Sequence, residues 1–310
     1  MFLELAMSPK NRKQKFLEEM EAVIPWDMLI EICKKFWKES PEGRPRHNLL
    51  LMLKVYFLQQ WYCLGDPTVE AEIYDSIAFR NFLGIDHLGK SIPDETSVLR
   101  FRRFLEDHNL QEDFLSKTNE ILEKDGHLLK RGTIVDATLI KSSSSTKNKA
   151  KKRDPEMSST KKNNNFHFGM KQHIGVDIEK GMIHTVKSTT AKTHDIKMLN
   201  DCLHGEEKVV SGDKAYGTKA YKKELRKSGK KYLITDKAAR NTKLSSSQKK
   251  QNKKISRVRG KVEHPFRVIK YLWGHARARY KGLRKNELQW NTLAMLNNFY
   301  MLTKNKCFQT

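Results

Sequence analysis

Three carboxylates stand out in this chain because so few acids surround them. After residue 125 the sequence holds 14 Asp and Glu against 43 Lys and Arg. Asp136 lies in the middle of an apolar, β-branched run, Thr133-Ile134-Val135-Asp136-Ala137-Thr138-Leu139-Ile140. A carboxylate at the centre of a strand is costly unless it is paired or bound to a metal. Asp213 closes another short apolar run, Val209-Val210-Ser211-Gly212-Asp213, and ligands of open α/β sheets gather at such carboxyl ends of strands. Glu263 is the only acid between Lys237 and Asn286. On a helix, Arg259, Glu263, Arg267 and Lys270 would fall roughly on one face. Pro265 suits either a first helical turn or a kink, which leaves Glu263 at the start of that helix or in its body. Each acid also has an ordinary reading: a buried hydrogen-bonding Asp, a loop-opening Asp and a surface ion-pairing Glu. Taken together, three isolated oxygen donors in a basic background suit hard cations shared with phosphate oxygens, Mg²⁺ above all. Two such ions can serve the attacking and the leaving oxygen of a phosphoryl transfer.

The elements that must carry these residues follow from local patterning. Residues 133–140 read as a strand, 171–178 and 182–188 as a hairpin turning at Glu179-Lys180-Gly181, and 208–211 and 232–235 as two further strands. Helices are expected over 194–203, 219–227, 257–273 and 287–302. Three leading strands followed by β/α alternation fit an α/β fold, a ribonuclease H-like mixed sheet flanked by helices. Before it, residues 24–37, 49–64, 70–82, 96–106 and 111–125 read as helices, with Asp66-Pro67 and Asp94 as start signals and Gly126 as a stop. Residues 141–170 hold eight basic and two acidic residues among Ser, Lys and Asn and read as a mobile basic loop.

Charge sharpens this division. The chain has 310 residues and a net charge of +24, with 38% apolar residues, enough for a core. Residues 1–125 carry −5 and residues 126–310 carry +29. The expected organisation is a helical N-terminal domain over 1–125 and an α/β domain over 126–310, with a basic segment of net +15 at 236–285. Such a surplus implies a polyanionic partner, most often nucleic acid. The longest apolar run, residues 49–58, is interrupted by Lys54 and is too short to cross a membrane. No signal-peptide pattern opens the chain, and Cys33, Cys63, Cys202 and Cys307 show neither zinc nor disulfide spacing. A reduced, cytoplasmic protein at the nucleoid, without a membrane partner, is the expectation.

These motifs resemble bacterial insertion-sequence transposases of the DDE type, in particular the insertion-sequence-five branch related to the insertion-sequence-four group. The resemblance covers about Pro25 to Tyr300. It rests on Gly43-Arg44-Pro45-Arg46, Ile92-Pro93-Asp94-Glu95-Thr96-Ser97 and Arg100-Phe101-Arg102 in the helical part. In the second part it rests on residues 134–138 for the first acid, 212–216 for the second, 257–266 for the third and 278–286 downstream. The family's signature at the third acid is matched by Arg259, Glu263 and Lys270, with Ser256 in place of its Tyr. The resemblance implies Asp136, Asp213 and Glu263 as catalytic and metal-binding acids holding two Mg²⁺, with Mn²⁺ as a substitute. It implies that Arg259 and Lys270 contact phosphates; Arg267, Lys214, Arg257, Lys261 and Arg279 are the further DNA-contact candidates. It implies cleavage at transposon ends and transfer to target DNA by a homodimer or higher assembly on double-stranded DNA, the helical part recognising the ends.

Two other classes compete: a ribonuclease H-like nuclease or resolvase without strand transfer, and a non-catalytic transposase-derived DNA-binding protein. Among secondary candidates, the His194-Asp195 pair either approaches the site or caps a helix through Asp195. His167, His173 and His184 read as structural. Phe166, Phe168, Tyr216 and Tyr280 are candidates for stacking on bases, whereas Trp273 and Cys202 read as core. Arg100, Arg102 and Arg103 form a candidate DNA face.

Overall fold

The computed structural model describes residues 10–38, 45–85, 92–149, 151–162, 164–218, 221, 223, 227–236, 238 and 243–306. Gly43, Arg44, Cys307 and most of the helix expected at 219–227 lie outside them. The chain divides into two compact units, Met1–Leu110 with Phe299–Thr310, and Gln111–Asn298.

The first unit is helical: α1 (Arg12–Val23), α2 (Trp26–Lys34), α3 (Leu49–Tyr62), α4 (Asp66–Asp75), α5 (Ile77–Leu83) and α6 (Glu95–Asp107). Helix α3 is apolar on nearly all sides and is buried accordingly. Even Lys54 is enclosed there, donating to Glu21 at 2.7 Å and to the Phe82 carbonyl at 3.0 Å. Asp94 caps α6 as expected, accepting from the Ser97 N–H. The single helix expected at 70–82 is two, because Ser76 leaves helical geometry and its hydroxyl caps α5 at Phe79. Helix α1 was not anticipated; its signal is the Asn11/Gln14 capping box.

The second unit opens with α7 (Leu110–Lys124). The charge break at Asp125–Gly126 therefore falls at the end of α7 rather than between compact units. Phe114, Leu115 and Leu122 of α7 are buried, and Asn119 donates to the His184 carbonyl at 3.0 Å. Packing, not surface charge, assigns this helix. The strands are β1 (Gly132–Lys141), β2 (Ser158–Lys162), β3 (Asn165–Asp177), β4 (Ile183–Thr190), β5 (Val209–Gly212) and β6 (Lys231–Ile234). Strand β3 pairs antiparallel with β1 along one edge, and with β4 and β2 along the other. Strands β1, β5 and β6 run parallel. The sheet order is β4-β3-β1-β5-β6, with β2 prolonging the outer edge.

This is the mixed sheet expected from the element order, with three differences. Residues 158–162 and 165–170, read as loop, are strands, because register pairing with β3 orders a polar segment that carries no apolar alternation. Residues 195–198 and 200–202 form short 3₁₀ turns, not the helix expected over 194–203. Helix α8 (Ser246–Arg267) starts well before Arg257, opened by a Ser245/Gln248 capping box. A π-helical turn (Val268–Leu272) follows α8, and the turn ends at Gly274 in the left-handed region. Helix α9 (Leu283–Lys306) closes the chain. Its Asn298 clasps the backbone of Ile183 in β4 from both sides, at 2.7 and 2.8 Å.

Candidate active site

The parallel pairing of β1 with β5 does the first positioning. Its last registered pair is Val135 with Gly212, so Asp136 and Asp213 are the next residues on neighbouring strands. Such strands lie about 4.8 Å apart, and residues in register share a face. Asp213 keeps extended backbone geometry as the chain leaves β5, and its carboxylate accepts from the Ala215 N–H at 2.7 Å. The 3₁₀ turn it caps, Lys214–Tyr216, drives Tyr216 into a core cluster with Val135, Leu199, Cys202, Val210 and Ile234. Gly212 permits this: a Cβ there would meet the Tyr216 ring and Ile234 at 3.0 Å. Tyr216 is fully buried, so it anchors the Asp213 turn and is not the base-stacking residue its neighbours in sequence suggested. Cys202 and Trp273 are core residues, as expected.

Asp136 is largely enclosed, its side chain 19% exposed. It accepts from the Ala137 N–H at 2.9 Å and from Arg259 Nη2 at 3.2 Å. Burial raises its pKa to about 6; Arg259 and the Ala137 N–H oppose the rise, and the negative charges of Asp213 and Asp195 add to it. Asp136, Asp213 and Asp195 therefore share one electrostatic neighbourhood. Asp195 is held by Lys171 Nζ at 2.9 Å, which also donates to the Thr193 carbonyl. It does not cap a helix: the N-cap position belongs to His194, without a side-chain bond.

Helix α8 brings the third acid. Ile255, Val262 and Pro265 form its buried stripe, and it packs against β1, β5 and β6. Glu263 lies in the body of α8 rather than at its start. It sits one turn beyond Arg259, and its side chain is exposed. Further on, Lys270 in the π turn donates to Thr138 Oγ1 at 2.8 Å and to the Leu139 carbonyl at 3.3 Å. Burial, with Lys162 and Lys141 nearby, lowers the Lys270 pKa. Arg259 and Lys270 thus fasten α8 and its π turn to β1 on either side of Glu263. The Arg259 Nε is buried without a hydrogen-bond partner.

The other basic candidates divide. Lys214, Arg257, Arg267 and Arg279 are exposed. Lys261 is exposed too, but its ammonium is engaged by the Ile178 and Glu179 carbonyls at 2.9 and 2.8 Å, at the turn after β3. Phe166 is 78% exposed with Lys161 over its ring, and Phe168 lies under Arg153. Of the helical unit's arginine face, Arg102 is excluded, since it is enclosed and paired with Asp66 and Glu106. His173 and His184 are structural, hydrogen-bonded to Thr189 and to Thr133 and Thr185 respectively. The partners Thr138 and Lys171 were missed in the sequence. No pattern in the run 170–176, which also holds Gln172 and His173, singles out the second.

The donor set has the chemistry of a hard-cation site. Its closest members are carboxylates, with no thiol or imidazole among them. Asp136 and Asp213 are like charges on neighbouring strands, and burial, which Arg259 and the Ala137 N–H do not fully offset, holds the Asp136 carboxyl above its ordinary pKa, with a further push from Asp213. Among the described residues, no three His, Cys, Asp or Glu stand close enough to hold a metal ion; Glu263 stands apart from the pair.

Comparison with known families identifies the domains of the chain. Residues 127–299 match the model of the Transposase DDE domain, and residues 5–104 match that of a Transposase domain (DUF772). No solved structure matches the chain. The chain belongs to the DDE transposases: its sheet is the ribonuclease H-like core of that domain, and the protein is a DNA-cleaving and strand-transferring enzyme. The two matched domains together have the arrangement of insertion-sequence-four and insertion-sequence-five elements. Enzymes of this family generally use divalent metal ions, and no described helix is long and apolar enough to cross a membrane.

Proposed function

We propose that Asp136, Asp213 and Glu263 are the catalytic acids, and that they hold two Mg²⁺ (or Mn²⁺) while the enzyme cuts the ends of its own insertion sequence. The observation that carries this is the register of β1 with β5, which sets Asp136 beside Asp213 beneath Arg259. Glu263 joins the pair by side-chain rotation from the next turn of α8, the helix that Arg259 and Lys270 fix to β1. Bound divalent cations supply Lewis acidity at the attacking oxygen and neutralise charge on the leaving one.

The chain's own residues position the DNA. Arg259, with its unpartnered Nε, turns toward a phosphate as its hold on Asp136 loosens. Lys270 keeps β1 and the π turn together while adding positive charge beside the scissile strand. Lys214, Arg257, Arg267 and Arg279 contact flanking phosphates, and Lys261 steadies the turn after β3. In cleavage an oxygen of water bonds to phosphorus, the bond from phosphorus to the 3′-oxygen breaks, and one proton of the water passes to that leaving oxygen, which gives a 3′-hydroxyl and a 5′-phosphate. In transfer the freed 3′-hydroxyl attacks a target phosphodiester in the same way. Positioning and charge stabilisation account for the chain's share. The helical unit reads the ends, two or more copies assemble on the DNA, and the element belongs to the insertion-sequence-five branch acting in the bacterial cytoplasm.

Mg²⁺-dependent nicking and strand transfer on labelled duplexes carrying the element's ends test this reading. Asp136→Asn, Asp213→Asn and Glu263→Gln should each abolish both products. Wild-type cleavage by any of the three removes that residue from the site.

A further inference from the structure

Helix α8 carries a glycine that its own fold does not need. Gly260 lies in the body of the 22-residue helix, with no positive φ, and a Cβ added there would meet nothing within 4 Å. Glycine inside a helix is destabilising relative to alanine, because it loses more backbone freedom on folding. Elsewhere in this unit the glycines have structural reasons. Gly175 would collide with the Cys202 carbonyl at 2.3 Å, and Gly274 adopts a left-handed conformation. At Gly260 neither reason applies.

Its place on the helix shows what the missing side chain leaves open. Lys253, Arg257, Glu263, His264 and Arg267 lie at i−7, i−3, i+3, i+4 and i+7, so Gly260 is at the middle of their common face. Lys253, Arg257, Glu263 and Arg267 are all exposed, and α8 has no acid before Glu263. The bare backbone therefore has Lys253 and Arg257 on its N-terminal side and Glu263, the proposed catalytic carboxylate, and Arg267 on its C-terminal side. Absence of Cβ is what permits close approach of a ligand to a helix backbone. Charge complementarity makes that ligand the DNA phosphodiester chain.

We propose that Gly260 is a contact point at which the DNA backbone crosses α8, seated between Arg257 and Arg267 so that the neighbouring phosphate reaches Glu263. Gly260 acts as a positioning residue. This rests on the assignment of Glu263 and the basic face of α8 to the DNA-cleaving site, and it adds the depth at which DNA is seated.

The test is a pair of substitutions, Gly260→Ala and Gly260→Leu, in the full chain, with thermal melting, binding of a 30-base-pair duplex across a salt series, and Mg²⁺-dependent cleavage. Gly260→Ala should raise the Tm by about 2–4 °C, since helix propensity improves and nothing clashes. DNA affinity and cleavage should fall nonetheless, several-fold for Ala and on the order of 10²-fold in cleavage for Leu, because displacing the reacting phosphate by about 1 Å can lose that much. Opposite signs of stability and activity are the signature, since a merely structural glycine would lose both together. Wild-type cleavage by Gly260→Leu, or a lowered Tm for Gly260→Ala, overturns the proposal. A wild-type protein that binds the duplex but does not cut it would overturn the reading of Glu263 first, and this inference with it.

Discussion

Replacing Asp136 by Asn should make the protein more stable while destroying its activity. The carboxyl is raised from 3.8 to about 6 by burial and by Asp213 and Asp195, against the pull of Arg259 and the Ala137 N–H. At pH 8 it is ionised in both folded and unfolded chains. At 1.36 kcal/mol per unit, its charge then opposes folding by about 3 kcal/mol. Asn keeps the shape but can accept from only one of Ala137 and Arg259, which returns about 1 kcal/mol of that. The net gain of about 2 kcal/mol corresponds to a rise in Tm of about 4–8 °C for a unit of this size. The sign follows from linkage: a carboxyl whose folded pKa exceeds its unfolded value contributes most stability below pH 4, and loses it as pH rises through 6. The advantage of the variant should therefore be absent near pH 4, grow between pH 4 and 6 and level off above. Melting curves in EDTA at several pH values measure it, and millimolar MgCl₂ should raise the Tm of the wild type alone. Cleavage should fall by on the order of 10³-fold. A variant that melts below the wild type at pH 8 refutes the strained-carboxylate argument. One that still cuts DNA refutes the catalytic assignment.

Three further outcomes follow from other parts of the molecule. Changing Lys249, Lys250, Lys253 and Lys254 together to Gln should lower the slope of log affinity against log salt by up to about 3–4, at about 0.9 per phosphate released. All four are exposed on α8, so the Tm should stay within about 2 °C; an unchanged slope in anisotropy titrations would place the DNA elsewhere. His173 is buried against Thr189 and its pKa is lowered to about 4 by burial. Its neutral form is thus favoured in the fold, and stability is lost as pH falls from 6.5 toward 4, by at most about 3 kcal/mol. His173→Gln should flatten that part of the urea-unfolding pH profile, and a profile identical to the wild type's would contradict it. Glu207, with no exposed side-chain surface, accepts from Thr133, the His204 and Gly205 N–H groups and Lys230. Glu207→Ala should cost about 3–5 kcal/mol in urea unfolding by leaving those donors unpaired, whereas a loss under 1 kcal/mol would show the cluster to be dispensable.

What could be read from the sequence depended on whether a signal was local. Asp136 was conspicuous because a charge interrupts an apolar, β-branched run, and Asp213 because it ends a short apolar one; their adjacency needed the register of β1 with β5, which no single segment encodes. Glu263 could be singled out by its isolation, yet Pro265 pointed equally to a helix start. Only the Ser245/Gln248 box, far upstream in a polar stretch, places it in the helix body. Strand β2 is invisible to hydrophobic pattern because it lies at an edge and borrows its order from β3. The charge break at residue 125 misplaced the compact boundary for a related reason: net charge is a property of surfaces, and α7 is assigned by the few apolar residues it buries. The same reasoning explains why Gly260 escaped notice. In sequence a glycine among lysines and arginines reads as a weak spot in a helix, or as a loop. Only when the helix is seen to continue through it, with open space where its side chain would be, does the absence of a methyl group become a statement about what approaches from outside.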